Sequence, residues 1–388
     1  MTRVLIAGVS VRAAAESAAR AGFTVTAIDA FADRDQHPAV RALSVSRDFG
    51  ASFTARHAAR AVRDEPCEAA AYLSPFENHP HAVRSLARGR SLLGNAPDVL
   101  RRVRDPLQLE RVLRARGLPA LRASATPIAS NARHAVGQVD AYLLKPLRSG
   151  GGHRIRHWPA GDRVPRGAYL QEYAPGSSRS IVFVANGRAM RPLGLTRQLT
   201  GLEDFGAGGF RYCGSIVAAD DSHPRSAAWR TACDIASAVT EEFGLIGING
   251  VDIIEHDGVP FAIEVNPRWT GSTELFERLH GASVFRLHAD ACQAGVLPDA
   301  GVMHAAPSVA AGKAIVFARA AVTIGDTQPW LDDGDVRDVP HPGERMSAGQ
   351  PVCTVFASGR DAEDCRSALV GRARDVYAQL AEWEDRGG

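Results

Sequence analysis

The chain has 388 residues, 45% apolar and 23% charged, enough for two to three domains of roughly 100–200 residues and incompatible with a disordered polymer. A net charge of +2 offers no electrostatic footprint for nucleic acid, and no apolar run approaches the ~18 residues a membrane span needs. Six cysteines without a CxxC pair exclude a zinc ribbon and a disulfide scaffold and suit a reducing compartment, so a cytoplasmic protein without a leader is expected.

In chain order, Val4–Ala7 reads as a short apolar strand, Val11–Ala21 as an Ala-rich helix and Thr24–Ile28 as a second strand, the opening of a parallel sheet. The turn Gly8-Val9-Ser10-Val11-Arg12-Ala13 is not a GxGxxG fingerprint, so a plain Rossmann-like layer is expected there rather than a dinucleotide site. The layer runs on through Ala69–Leu73 to Leu92–Gly94. One helix is expected over Asp98–Arg116, stopped by Gly117-Leu118-Pro119. From about 120 to 300 the chain is antiparallel in character, with strands at 141–145, 153–158, 168–173, 180–185, 250–255 and 260–265 and a helix near 225–243. After His304 a small unit follows, with strands Ala314–Phe317 and Pro351–Phe356. It closes on a helix capped by Asp361, with Leu369, Val376 and Leu380 on its inner stripe.

Of 45 basic residues only Lys145 and Lys313 are lysines. Against that background each lysine marks a place where a compact point charge suits better than a planar fork. Lys145 ends a strand and is followed by the loop Ser149-Gly150-Gly151-Gly152. Glycines let backbone N–H groups close on an anion, so this is a phosphate-binding arrangement, expected on a hairpin near the surface. The alternative is a flexible hairpin with a snorkelling lysine. Gln171-Glu172-Tyr173-Ala174 runs into Pro175-Gly176 and reads as a hinge between strands. Lys313 reads as structural, at the start of a strand. The segment Gly201–Gly214 reads as a loop that closes over a substrate or as an ordinary flexible loop.

The strongest pattern is Gly250-Val251-Asp252 through Ala262-Ile263-Glu264-Val265-Asn266-Pro267-Arg268. Alternation puts Glu264 and Asn266 on one strand face, with Phe261, Ile263 and Val265 on the other. A three-residue loop Asp257–Val259 sets His256 opposite Pro260 and Asp252 opposite Glu264. A two-residue Asp-Gly turn would instead set Asp252 opposite Ile263, among apolar side chains, so the longer loop is favoured. Two carboxylates and an amide oxygen are hard ligands suited to Mg²⁺ shared with substrate phosphates.

A strand lysine, a glycine loop, a hinge and then Asp252…Glu264-x-Asn266-Pro267-Arg268, in this order, resemble the ATP-grasp superfamily over roughly residues 96–300. The resemblance implies a mixed α/β and α+β protein. A Rossmann-like domain (1–95) would precede an ATP-grasp core of two subdomains (96–303, lid about 120–170), with a small β-rich closing domain last (304–388). It implies that Lys145 and Gly150, Gly151 and Gly152 bind ATP phosphates and that the backbone of Gln171, Glu172, Tyr173 and Ala174 holds adenine. Asp252, Glu264 and Asn266 would hold Mg²⁺, with Mn²⁺ as a substitute, and Arg268 would steady the transferred phosphate. Asp105-Pro106 stands where many members carry Asp-Lys, so either Arg104 stands in for the missing lysine or nucleotide affinity is reduced.

The closing segment, Phe76-Glu77-Asn78-His79-Pro80 and the Ser10–Ala13 turn resemble a carboligase-like group that includes the tyramine–glutamate ligase of methanofuran synthesis, with relatives in bacterial one-carbon metabolism. That resemblance implies an ADP-forming carboxylate–amine ligase acting on small molecules through an acyl phosphate, joining glutamate to tyramine or tyrosine in cofactor synthesis, with neither nucleic acid nor membrane as partner and a homodimer as a compatible state. The competing expectations are a non-catalytic ATP-binding protein of the same fold and a biotin-carboxylase-like enzyme.

Overall fold

The computed structural model describes residues 2–127, 142–159, 163–218, 221, 226–299 and 309–387. Parts of the expected lid therefore lie outside the described residues. Residues 3–93 form a parallel sheet from β1 (Arg3–Ala7), β2 (Thr24–Asp29), β3 (Val40–Ser44), β4 (Ala69–Tyr72) and β5 (Ser91–Leu93), in the order β3-β2-β1-β4-β5. Fully buried Val4, Leu5, Ile6 and Ala7 make β1 its centre, as expected for a strand covered by helices on both faces.

A four-stranded antiparallel sheet follows, built from β6 (Ala123–Ser124), β7 (Tyr142–Pro146), β8 (Arg156–Trp158) and β9 (Ala168–Glu172). The largest sheet takes β10 (Ser177–Asn186), β11 (Met190–Thr200), β12 (Tyr212–Val217), β13 (Ile246–His256), β14 (Val259–Asn266), β15 (Ala310–Phe317), β17 (Val336–Arg337) and β19 (Pro351–Gly359); the short β16 (Val322–Thr323) and β18 (Arg345–Met346) pair only with each other. Its order is β14-β13-β10-β11-β12-β15-β19-β17. The segment expected from 304 onward as a small closing domain thus contributes β15, β17 and β19 to the same sheet as the candidate site, through β15 against β12. The last helix, Ala362–Gly387, is capped as expected: Asp361 Oδ1 accepts from the N–H groups of Glu363 and Asp364, each at 2.9 Å.

Two features differ from expectation. The helix expected over Asp98–Arg116 is two helices, Pro97–Val103 and Pro106–Ala115. Pro106 cannot donate within a helix and restricts the residue before it, while Asp105 caps the second helix by accepting from Leu107 N at 2.9 Å and Gln108 N at 3.3 Å. The break turns Arg104 inward. The second difference is the long β11, which contains Pro192 and Gly194 and so carries no alternating pattern; a register shift between Val182 and Phe183 in its partner β10 accommodates it, the usual refuge for proline in a sheet.

His288 joins the parallel layer to the large sheet. Its Nδ1 accepts from Ile248 N at 2.9 Å and its Nε2 lies 3.3 Å from the Leu93 carbonyl, an arrangement that needs the neutral ring. Burial pushes its pKa down to about 4. An unfolded His takes its proton near 6.5, so between pH 6.5 and 4 the native state binds fewer protons than the unfolded one. Stability is full above 6.5 and falls by up to roughly 3 kcal/mol as pH drops through that window. Thermal melts from pH 7.5 to 4.5 should show this fall. His288→Asn, which keeps an acceptor for Ile248, should give a shallower slope; equal slopes would remove His288 as the source.

Candidate active site

The β13–β14 hairpin reaches the expected pairing by a different route. Asp257 (φ 48°) and Gly258 (φ 76°) form a two-residue turn with His256 opposite Val259, since an Asp-Gly pair readily takes positive φ at both positions. A register shift between Asp252 and Ile253 then leaves Ile263 without a partner and brings Asp252 opposite Glu264. The expected three-residue loop is therefore corrected to a tight turn plus a β-bulge. The faces change with it. Ala262 and Val265 pack into the core with Val251 and Ile253, whereas Phe261 and Ile263 pack with Leu121 and Ala174. Ile263, Glu264 and Asn266 all line one cavity of about 590 Å³.

That cavity gathers the sequence-predicted residues from several elements. Lys145, Gly151, Gly152, Gln171, Glu172, Tyr173, Ala174, Asp252, Glu264, Asn266 and Arg268 line it, while Gly150 lines a small adjoining pocket together with Lys145, Arg104 and Glu264. Lys145 is not near the surface, as expected of a hairpin lysine, but 4% exposed. Its Nζ donates to Gln171 Oε1 at 2.9 Å, and Gln171 in turn donates to the Ile263 carbonyl at 3.3 Å. Glu172 N donates to Arg122 O at 2.8 Å, so that amide is committed to the sheet.

The glycine loop meets the 201–214 segment. Gly152 has φ +77°, and a Cβ there would sit 1.8 Å from the Phe210 carbonyl oxygen. Tyr212 N donates to Gly151 O at 3.1 Å, and the His157 ring packs on Tyr173 and Phe210 at 5.0 and 5.6 Å. Only glycine permits this approach.

The acidic pair is held by two interlocked chains of hydrogen bonds that sequence reasoning did not find. Asn266 Nδ2 donates to Asp252 Oδ2 at 2.8 Å, Arg268 Nη2 to Asn266 Oδ1 at 3.0 Å, and Arg268 Nε to Glu77 Oε1 at 2.8 Å. Gln198 Nε2 adds a bond to Asp252 Oδ1 at 2.9 Å. In the second chain Arg104 pairs with Glu264 through Nη1 and donates through Nη2 to Asn78 Oδ1 at 3.1 Å and Ser149 O at 3.0 Å. Glu77 and Asn78 come from a 3₁₀ turn of the parallel layer; the sequence marked that run without assigning a contact. Burial and the facing Glu264 raise the Asp252 pKa. Burial also opposes ionisation of Glu264, but Arg104 and Lys145 outweigh it and hold that carboxyl below its usual range.

The donor set fits a hard divalent cation. Asp252 and Glu264 are half-buried carboxylates facing each other across the hairpin, with the Asn266 amide beside them, hard oxygen donors of the kind a divalent cation takes.

Residues 107–272 match the family model of the ATP-grasp domain, and the mixed α/β architecture, a parallel N-terminal layer before antiparallel sheets, is an ATP-grasp fold. An L-amino acid ligase from Bacillus licheniformis superposes with a TM-score of 0.67 at 15% identity, over 97% of this chain and 97% of that one. The biotin carboxylase domain of Hydrogenobacter thermophilus 2-oxoglutarate carboxylase, in complex with MgADP and bicarbonate, does so with a TM-score of 0.68 at 13% identity, over 96% of this chain and 89% of that one. These identities establish likeness of fold. In sequence, an uncharacterized protein of Methanocaldococcus jannaschii is 24% identical over 39% of this chain; the match spans 35% of that relative's length. Among the described residues no helix is long and apolar enough to cross a membrane.

Proposed function

We propose that the chain is an ADP-forming carboxylate–amine ligase that makes a C–N bond through an acyl phosphate. The observation that carries this reading is the convergence of Asp252, Glu264, Asn266 and Arg268 with buried Lys145 in one cavity. In this reading residues 1–95, 96–303 and 304–388 act as the preceding, ATP-grasp and closing units. Tyr173 and Ala174 contact the adenine, and Gly150–Gly152 cover the phosphates.

Asp252, Glu264 and Asn266 would hold Mg²⁺, whose chemistry is to offset phosphate charge. The substrate carboxylate attacks the γ-phosphorus of ATP, the bond to the β–γ bridging oxygen breaks, and ADP leaves with the electron pair. The amine then adds to the acyl carbonyl carbon, loses a proton and expels phosphate. Lys145 places an ammonium against the transferring phosphates, and Arg268 offers a planar fork, fixed by Glu77 and Asn266, for phosphate or carboxylate.

The resemblance of the closing segment favours glutamate as acid and tyramine or tyrosine as amine, in a reducing cytoplasm that suits six free thiols. Incubation with ATP, Mg²⁺ and acid–amine pairs should yield ADP, phosphate and an amide by mass spectrometry. An AMP product would overturn the reading, and ADP formed from bicarbonate without an amine would favour a carboxylase.

A further inference from the structure

Lys313 is the second of the two lysines, and it sits in the middle of β15 rather than at a strand start. Opposite Ser215 on β12, it lies across the large sheet from Asp252, four strand spacings or about 19 Å away. It is 6% exposed and still lines the cavity, as do Ser10, Arg12, Asp338 and Thr354.

The charges at this end are arranged in sequence. Lys313 Nζ donates to Glu274 Oε2 at 2.8 Å, and Arg12 Nη2 donates to Glu274 Oε1 at 2.8 Å. Arg12 Nε pairs with Asp338 Oδ1 at 2.7 Å, and Thr354 Oγ1 donates to Asp338 Oδ2 at 2.5 Å. Both carboxylates are thus engaged on both oxygens. Lys313 is not: an ammonium has three donors, and among the described residues Glu274 is its one hydrogen-bond partner. A buried donor without an acceptor is costly, and these donors border a cavity. The Phe356 ring lies 5.4 Å from Nζ but accepts no conventional hydrogen bond, and an anion entering from the cavity would supply the acceptor.

We propose that Lys313, beside Arg12 across their shared partner Glu274, seats a non-reacting carboxylate of one of the two substrates. This rests on the ligase reading. The carboxylate belongs either to the acid, as the second group of a dicarboxylic amino acid, or to the amine, as the carboxyl of an amino acid. The chemistry of the seat is the same in both cases.

The test uses two matched pairs of probes: L-glutamate against 4-aminobutyrate as acid, and L-tyrosine against tyramine as amine. Binding to the MgADP-loaded protein is read by calorimetry, and product formation with ATP by mass spectrometry. In the parent, the carboxylate-bearing member of one pair should bind about 10- to 100-fold more tightly; which pair does so assigns the seat to acid or amine. Lys313→Met should abolish that preference through Kd and KM while leaving the KM for ATP unchanged, and Lys313→Arg should restore part of it. If Lys313→Met does not fold, the neutral pair Lys313→Gln with Glu274→Gln carries the same comparison. Absence of a preference in both pairs, or a preference that survives loss of the ammonium, overturns the proposal. Amide formation without preference leaves the ligase standing and removes the seat. A Lys313-dependent preference with no amide from any pair does the reverse.

Discussion

Arg268→Ala should sharply reduce turnover and also lower the melting temperature, and the two losses should be separable. The guanidinium is a donor fixed by Glu77 and Asn266 and proposed to face the reacting phosphate, and removing one such preorganised donor typically costs about 10²- to 10³-fold in rate. The same change strands Glu77, which is 1% exposed and pairs with Arg268 Nε at 2.8 Å. An orphaned buried charge costs on the order of 3–5 kcal/mol. Adding Glu77→Gln removes that charge, so the double variant should recover much of the melting temperature and none of the activity. Recovery of activity along with stability would mean that Arg268 acts only as a structural partner of Glu77.

Lys145→Met should raise the KM for ATP by roughly 10- to 150-fold, the value of one charge-assisted hydrogen bond, while the KM for the acid substrate stays near that of the parent. Lys145→Arg should do no better. At 4% exposure and in contact with Gln171, the larger fork has to displace its neighbours, and overpacking of this kind costs about 1–3 kcal/mol. The arginine variant should therefore melt lower, which a solvated hairpin lysine would not do. Unchanged ATP kinetics in Lys145→Met would take the residue out of the phosphate site.

How much of this site was legible depends on how local each signal is. Asp252 facing Glu264 was readable because one register alone keeps both carboxylates out of the apolar core. The route to it was not readable. A tight Asp257-Gly258 turn and a bulge at Ile263 offset each other by one residue, and the requirement on the carboxylates is satisfied equally by a longer loop without a bulge. Arg104 was readable only as a stand-in for the lysine missing at Pro106; its contacts with Glu264, Asn78 and Ser149 were not, because the run around it reads as continuous helix. Glu77 and Asn78 lie 191 and 26 residues from their partners Arg268 and Arg104. No periodicity carries contacts of that kind. The long β11 was missed because Pro192 and Gly194 erase alternation, and its neighbours β10 and β12 rather than its own composition keep it extended.

The continuity of the large sheet bears on how such a chain can be recombined. The strand that carries Lys313 is hydrogen-bonded to β12, whose Tyr212 reaches back to the glycine loop through Gly151. Exchanging the C-terminal segment with that of a distant relative would therefore replace one wall of the cavity and the partner of a central strand together. An ill-matched graft would leave β12 as an open edge, ready to pair with another molecule. Inheritance of this tail separately from the rest is penalised twice, once in specificity and once in solubility, and the two ends of the cavity are bound to diversify as a single unit.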